Sequence, residues 1–145
     1  MKLSTKPRYG IRILVEIALA ARQGKNSIPG KFIAKKQHIP EGYLEQIMIP
    51  LKRSGLAGTI RGCNGGYTLL KKEEEISVLN IIELFEGKVN LSDCSTKCEI
   101  SEWASKCPTK RVWQRLANSF RKSADEIKLK EIVDDYEKTA ETITK

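Results

Sequence analysis

The chain has 145 residues, 40% of them apolar, which suits one compact domain with a modest core and an appendage. No 18-residue apolar run is present, and Arg12, Glu16 and Arg22 interrupt the N-terminal apolar positions. The expectation is therefore a cytoplasmic protein with no membrane span and no signal peptide. The net charge of +8 is lopsided: residues 1–70 carry 12 Lys and Arg against 3 acids, and residues 71–145 carry 14 against 15. A generally basic surface would spread its excess over both halves, so this split favours a polyanion as partner.

Lys2, Lys6 and Arg8 mark the start of a helix expected over about Thr5 to Gln23. Tyr9, Ile13, Val15, Ile17, Ala20 and Ala21 fill its apolar side, and Gly24-Lys25-Asn26 ends it. Phe32, Ile33 and Ala34 supply the apolar side of a short second helix. His38-Ile39-Pro40 is a turn, because Pro breaks a helix and biases the residue before it away from one. Tyr43, Leu44, Ile47, Met48 and Leu51 then recur at three and four residues, which is helical spacing, until Gly55 stops the run. Two short helices joined in this way form a helix-turn-helix, whose second helix usually enters the DNA major groove. Lys31 lies on the first helix, and Tyr43, Glu45 and Gln46 open the second. Gln can pair with adenine, and Glu can accept from cytosine N4. Tyr43 reads equally as a DNA contact or a core aromatic, and Glu45 as a base contact or a helix cap.

Leu56–Arg61 and Tyr67–Leu70 read as strands around Gly62-Cys63-Asn64-Gly65-Gly66, where Asn and Gly can take the positive φ of a tight hairpin. Arg61 beside this glycine-rich tip suits insertion into a DNA groove; a solvated hairpin is the other reading. Cys63 in the tip is either an idle thiol or a redox-reactive one. Lys71 to Glu75 is a charged connector, most simply a solvated surface. Ser77 caps a helix running to about Glu86, with Val78, Leu79, Ile81, Ile82, Leu84 and Phe85 as its apolar residues and Gly87 as its stop.

Val89 to Cys107 has no clear period but holds Cys94, Cys98 and Cys107, spaced C-x3-C-x8-C. In a chain expected to be cytoplasmic, such clustering favours metal or redox chemistry over disulfides. Thiolates suit both zinc and iron–sulphur clusters, so spacing alone leaves zinc, a cluster or uncoordinated thiols open. Trp113, Leu116, Ala117, Phe120, Ala124 and Ile127 form one amphipathic series; Leu129, Ile132, Val133, Tyr136, Ala140 and Ile143 form another. The phase changes near Lys128, which predicts two helices. The core appears complete on the sequence pattern before this segment begins, so a symmetric dimer interface is favoured over internal packing. A two-fold dimer would read a pseudo-palindromic operator.

The stretch LEQIMIPLKRSGLAGTIRGCNGGYTL resembles the winged-helix repressors typified by the iron–sulphur regulator IscR, whose relatives include NsrR and CymR. The opening MKLSTKPRYGIRILVEIAL is similar to that family's first helix, and the resemblance covers nearly the whole chain. It implies a mainly α fold with a small β-hairpin wing: a winged helix-turn-helix plus a long C-terminal dimerisation helix. The DNA-binding domain would be residues 1–87, the cysteine-bearing sensor loop 88–107, and the dimerisation and C-terminal helices 108–145. DNA-contacting positions of the family match Tyr43, Glu45, Gln46 and Arg61; Lys2, Arg8, Lys31 and Gly65 complete the implied DNA-facing set. Gly42 stands where the family often has Ser. IscR-like members hold a [2Fe–2S] cluster on three cysteines, matched by Cys94, Cys98 and Cys107, while the histidine that supplies the fourth ligand in IscR is Lys110 here. Asp93, Glu99, a residue of a partner subunit or a small molecule remain as fourth ligand.

The expectation is a homodimeric DNA-binding transcription regulator, a repressor, that senses iron–sulphur or redox status through a [2Fe–2S] cluster. The alternative is a CymR-like repressor controlled by a partner protein or metabolite, with zinc or no metal at the cysteines. A small iron–sulphur electron carrier leaves the basic N-terminal half unexplained. No Ser/His/Asp set, P-loop or dinucleotide fingerprint is present, so no enzyme is expected.

Overall fold

A computed structural model describes residues 3–91 and 107–143. Helix α1, Thr5–Arg22, starts at Ser4, whose hydroxyl accepts from the Lys6 amide at 3.4 Å. Ile13, Leu14, Ile17 and Ala18 are fully buried along it, and α1 forms the centre on which the other elements pack.

Helix α2, Gly30–Gln37, buries only Ile33 and Ala34. Phe32, expected on its apolar side, is 54% exposed, because an eight-residue helix presents one narrow stripe to α1 and Phe32 falls beside it. The turn after α2 owes more to His38 than to the proline. His38 adopts the left-handed conformation at φ 53°, and its amide donates to the Lys35 carbonyl at 3.4 Å. The next amide, Ile39, donates to the Ala34 carbonyl at 2.9 Å, and Ile39 and Ala34 are both buried. This is a Schellman ending with its apolar contact, made without the usual glycine.

Helix α3, Glu41–Arg53, follows from Pro40 and buries Leu44, Ile47, Met48 and Leu51 at helical spacing. A second Schellman ending closes it: Gly55 sits at φ +73° and donates to Lys52, and Leu56 donates to Leu51. Strands β1, Ala57–Ile60, and β2, Gly66–Leu69, then pair antiparallel with Ala57 opposite Leu69 and Ile60 opposite Gly66. The hairpin has a third member that its own pattern does not disclose. Ile28 pairs with Tyr67 through two backbone bonds of 3.0 and 2.8 Å, stitching the chain before α2 to the outer side of β2. At the tip only Gly62 takes a positive φ, +115°; Asn64 does not.

A short 3₁₀ turn, Glu73–Glu75, occupies the charged connector. It is tied down: Glu73 meets the Arg22 guanidinium at 2.5 Å. Helix α4, Val78–Glu86, begins with a reciprocal cap between Ser77 and Asn80 and ends at Gly87, φ +78°. Gly10 of α1 admits it closely, since a Cβ there would stand 2.8 Å from the Phe85 ring.

The last two helices are α5, Lys110–Glu126, and α6, Leu129–Ile143, and the break lies where the phase change placed it. Its two link residues are extended and pair with the start of α4: Val78 donates to Ile127 at 2.9 Å, and Leu129 donates to Ile76 at 2.8 Å. The two helices have different fates. In α6, Leu129 and Val133 are at most 1% exposed and belong to the same core cluster as α1 and α3. The core therefore does not close without the C-terminal segment; α6 completes it, each such side chain contributing about 1.5–3 kcal/mol by burial. Arg22 reinforces this with ion pairs to Asp134 at 2.7 Å and Glu137 at 2.6 Å. Hydrogen bonding from Arg22, and then from Lys130, holds the Asp134 carboxyl below the usual carboxylate range. That tie is complete above the unfolded carboxyl's value and is lost only as acid titrates Asp134 in the folded state. In α5, only Ala124 is buried, and Val112, Trp113 and Leu116 stay open to solvent.

His38 is exposed, so its left-handed backbone is a cost without a packing return. Replacing it with glycine (His38→Gly) should raise stability by about 0.5–1 kcal/mol, the αL strain less glycine's larger unfolded-state entropy. Urea unfolding with an unchanged slope measures this, and a loss of stability would show that His38 makes an interaction the geometry does not.

Candidate nucleic-acid interface

Helix α3 has two outward stripes. Gly42, Gln46, Ile49 and Arg53 recur at four, three and four residues and form one of them; all are exposed, Ile49 at 45%. Glu41, Glu45 and Lys52 form the other, which turns toward the wing. There, with Lys31, Gly30, Gly66 and Tyr67, they line a cleft of about 290 Å³. Lys31 and Glu45, picked from the sequence as separate candidates, thus meet in one cleft between α2, α3 and β2. Burial, and then the charge of Glu45, pushes the Tyr67 phenol above its ordinary pKa. Gly30 is what lets that ring lie so close, since a Cβ at Gly30 would sit 2.9 Å from it.

Arg61 is exposed at the end of β1 and faces a second groove, of about 630 Å³, shared with Lys25, Asn26, Asn64 and Thr68. Gly65 has a structural reason to be glycine, whatever it contacts: a Cβ there would stand 2.3 Å from the Ile60 carbonyl oxygen. Gly66 is equally confined, 2.3 Å from the Ile28 carbonyl. Tyr43, expected as a DNA contact or a core aromatic, packs at the edge of the core with its hydroxyl at the surface. It is half-buried, its ring meets Tyr9 edge-on at 5.7 Å, and its hydroxyl lies 3.1 Å from Thr5 Oγ1 at the exposed start of α1. Arg8 is exposed on the first turns of that helix, and Lys2 lies outside the described residues.

The sequence reading missed Lys25, Lys52 and Arg53 as members of this face. Lys52 and Arg53 were findable, because each lies seven residues after a chosen position, Glu45 and Gln46. Lys25 was not, because it comes alongside the wing only through the Ile28–Tyr67 pairing.

Of the cysteines, Cys94 and Cys98 lie outside the described residues. Cys107 is half-buried just before α5, with Sγ 3.3 Å from Thr109 Oγ1 and its carbonyl accepting from the Lys110 amide. Cys63 is exposed in the wing tip. Beyond Cys107, the apolar stripe of α5 presents Val112, Trp113 and Leu116 at 53%, 39% and 47% exposure. No helix among the described residues is long and apolar enough to cross a membrane.

Residues 3–135 match the model of the Rrf2 family, described as iron-dependent transcriptional regulators. The transcriptional regulator IscR of Aliivibrio salmonicida is 34% identical over 137 residues, covering 94% of this chain and 80% of that protein. The transcriptional regulator CymR of Bacillus subtilis is 35% identical over 133 residues, covering 91% and 89%. The solved structure of T. potens IscR superposes with a TM-score of 0.74 at 31% identity, covering 96% of this chain and 90% of that one. These relatives are named as transcriptional regulators and not as enzymes.

The confinement of Gly66 can be tested apart from any DNA. Gly66→Ala should cost about 1–3 kcal/mol in urea unfolding, because backbone must move to admit the methyl. Gly42→Ala, whose methyl meets open space, should be neutral or gain up to about 1 kcal/mol.

Proposed function

The chain belongs to the Rrf2 family of transcriptional regulators, and on that premise we propose that it represses from a pseudo-palindromic operator as a homodimer whose cysteines carry the signal. The observation that carries the DNA reading is the outward stripe of α3, flanked on one side by the Lys31–Lys52 cleft and on the other by the start of α1. Gln46 is open to a base edge in the major groove, and Glu45 stands at the rim of the cleft, suited to accept from a cytosine amino group. Arg8, Lys31 and Arg61 neutralise phosphate, with Lys25, Lys52 and Arg53 beside them, so affinity should fall steeply with salt. Tyr43 anchors the start of α3 while offering its hydroxyl at the surface. Lys2 extends the basic start of the chain, and Gly65 keeps the wing tip thin.

Homodimerisation is assigned to α5. Its Val112, Trp113 and Leu116 side chains are exposed together on one stripe, and a second copy of the same helix would cover them. The signal is assigned to Cys94, Cys98 and Cys107 holding a [2Fe–2S] cluster. The one described member of that set, Cys107, is partly accessible and lies two residues before the cap of α5. When bound, such a cluster supplies iron–thiolate bonds that oxidant or nitric oxide can break. A second reading, a CymR-like repressor answering a partner protein or metabolite, is favoured by Lys110, a poor ligand where IscR has histidine.

Two measurements test these assignments. In titrations of a promoter fragment, Arg61→Ala should weaken binding to all duplexes alike and lower the salt slope by about 1, whereas Gln46→Ala should cost about 1–3 kcal/mol on the operator alone. A wild-type protein that ignores its own promoter fragments at low salt defeats the DNA reading. Separately, protein purified without oxygen should be reddish brown and contain iron and sulphide in equal amounts, and Cys→Ala at all three positions should be colourless. Colourless wild-type protein that still binds the operator supports the CymR-like reading instead.

A further inference from the structure

Arg12 lies in the middle of α1, half-buried, and the sequence reading gave it no role beyond interrupting an apolar run. The structure gives it three directed interactions. Its Nε donates to Gln37 Oε1 at 2.7 Å, and its Nη2 donates to the Gln37 backbone carbonyl at 2.5 Å. Its guanidinium also lies 5.3 Å from the centre of the Tyr9 ring. Gln37 is the last residue of α2, so its carbonyl is among those a helix end leaves without an internal partner. The Gln37 amide in turn donates to the buried Glu16 carboxylate. On the other side, Tyr9 meets Tyr43 edge-on at 88°, and Tyr43 is the third residue of α3. One guanidinium therefore grips the residue before the turn and, through a single ring, braces the first turn of the helix after it.

We propose that Arg12 is a positioning residue for the recognition helix, locking both sides of the turn so that α3 presents its base-reading stripe at a fixed angle. This rests on the reading of α3 as the element that enters the groove. The chemistry requires arginine. Its planar fork reaches a side-chain oxygen and a carbonyl together while its face lies near an aromatic ring, and a lysine ammonium offers a single point of charge instead. The competing role for a basic residue on this half of the chain is direct phosphate contact, and the two roles separate cleanly. A phosphate contact contributes to every duplex and to the salt slope. A positioning residue contributes to the right sequence and leaves the slope alone.

The experiment compares a duplex that the wild-type protein enriches from a random-sequence pool with a shuffled duplex of the same composition, across a salt series. For Arg12→Ala and Arg12→Lys the expected result is a loss of about tenfold or more on the enriched duplex. The same variants should stay within about twofold on the shuffled duplex, with the salt slope unchanged. An equal loss on both duplexes with the slope reduced by about 1 assigns Arg12 to phosphate and overturns the proposal, as does wild-type behaviour of both variants. If Arg12→Ala lowers the melting temperature, the Tyr9 pair decides. Tyr9→Phe keeps the ring between Arg12 and Tyr43 and should match wild type, while Tyr9→Leu should lose selectivity at unchanged slope. Identical behaviour of Phe and Leu overturns the proposal. A wild-type protein that enriches no sequence fails the reading of α3 itself, and the positioning role falls with it.

Discussion

A carboxylate with 1% of its surface exposed sits two-thirds of the way along α1, and the arrangement of the DNA-binding half follows from how it is compensated. Burying Glu16 unpaired would cost several kcal/mol. Lys36 meets it at 2.8 Å and the Gln37 amide donates to its other oxygen, so both partners come from the last turn of α2. Lys36 keeps its stem and ammonium at the protein surface, 41% exposed, so only one of the two charges loses most of its water. An apolar residue at position 16 would avoid the desolvation cost, but it would attract α2 without orienting it. Two directed bonds at the helix end fix both the place and the rotation of that end. Because the chain reverses immediately afterwards at His38, the direction in which α3 departs is fixed as well.

The C-terminal end of α1 is held by a different means. Arg22 gathers Glu73, Asp134 and Glu137 at the surface, where each pair is worth little alone and salt screens all of them. What secures α6 is Leu129 and Val133 in the core; Arg22 selects which face of α6 turns inward. Glu16 and Arg22 are six residues apart on α1, about 9 Å of helix rise, so the two clamps act on successive turns of its C-terminal half. The end that carries Arg8 and Thr5 meets α3, and the end that carries Arg22 meets α6 and the connector. The wing is pinned by β2 on Ile28, and Gly66, whose Cβ would stand 2.3 Å from the Ile28 carbonyl oxygen, is what admits this contact.

Much of this was legible because short-range rules were not contradicted by tertiary ones. The spacing of Leu44, Ile47, Met48 and Leu51, the cap at Ser77, and the phase change at Lys128 each needed only their neighbours in sequence. The failures are of one kind. Ile28 makes a strand of one residue, which has no period to detect. Phe32 looked like core because it is apolar, yet an eight-residue helix has room for one buried stripe, and α1 chose Ile33 and Ala34. The charged connector looked solvated because nothing local says that Arg22, some fifty residues earlier, would reach Glu73. In the candidate site, Glu45, Gln46 and Lys31 could be read from helix position. Their division between an outward stripe and a wing-facing cleft could not, because it depends on where β2 lies. The family resemblance supplied the remaining assignments, including those of the cysteines.

The C-terminal helices show how a signal could be carried without disturbing the core. The extended link Ile127–Lys128 is bonded on both sides to Ile76 and Val78, and Ala124 is buried beside it, so the end of α5 nearest the link is fixed to the domain. The other end begins at Thr109, two residues beyond Cys107, and its apolar Val112, Trp113 and Leu116 stay partly exposed among the described residues. Among the described residues, helix α5 is held to the domain over its C-terminal half, where Arg121 also pairs with Glu83 of α4 at 3.2 Å. On the proposed reading, a second copy covers the exposed end, and the cysteine-bearing segment joins the chain there. A change at those thiols would then act at the far end of a 17-residue lever whose fulcrum is the DNA-binding core itself. A shift at the dimer seam would alter the spacing of the two recognition helices while leaving each helix-turn-helix, braced by Glu16 and Arg12, internally unchanged. On the proposed reading, rigid readers on an adjustable frame would convert chemistry at sulphur into a change of fit to two half-sites one or more helical turns apart.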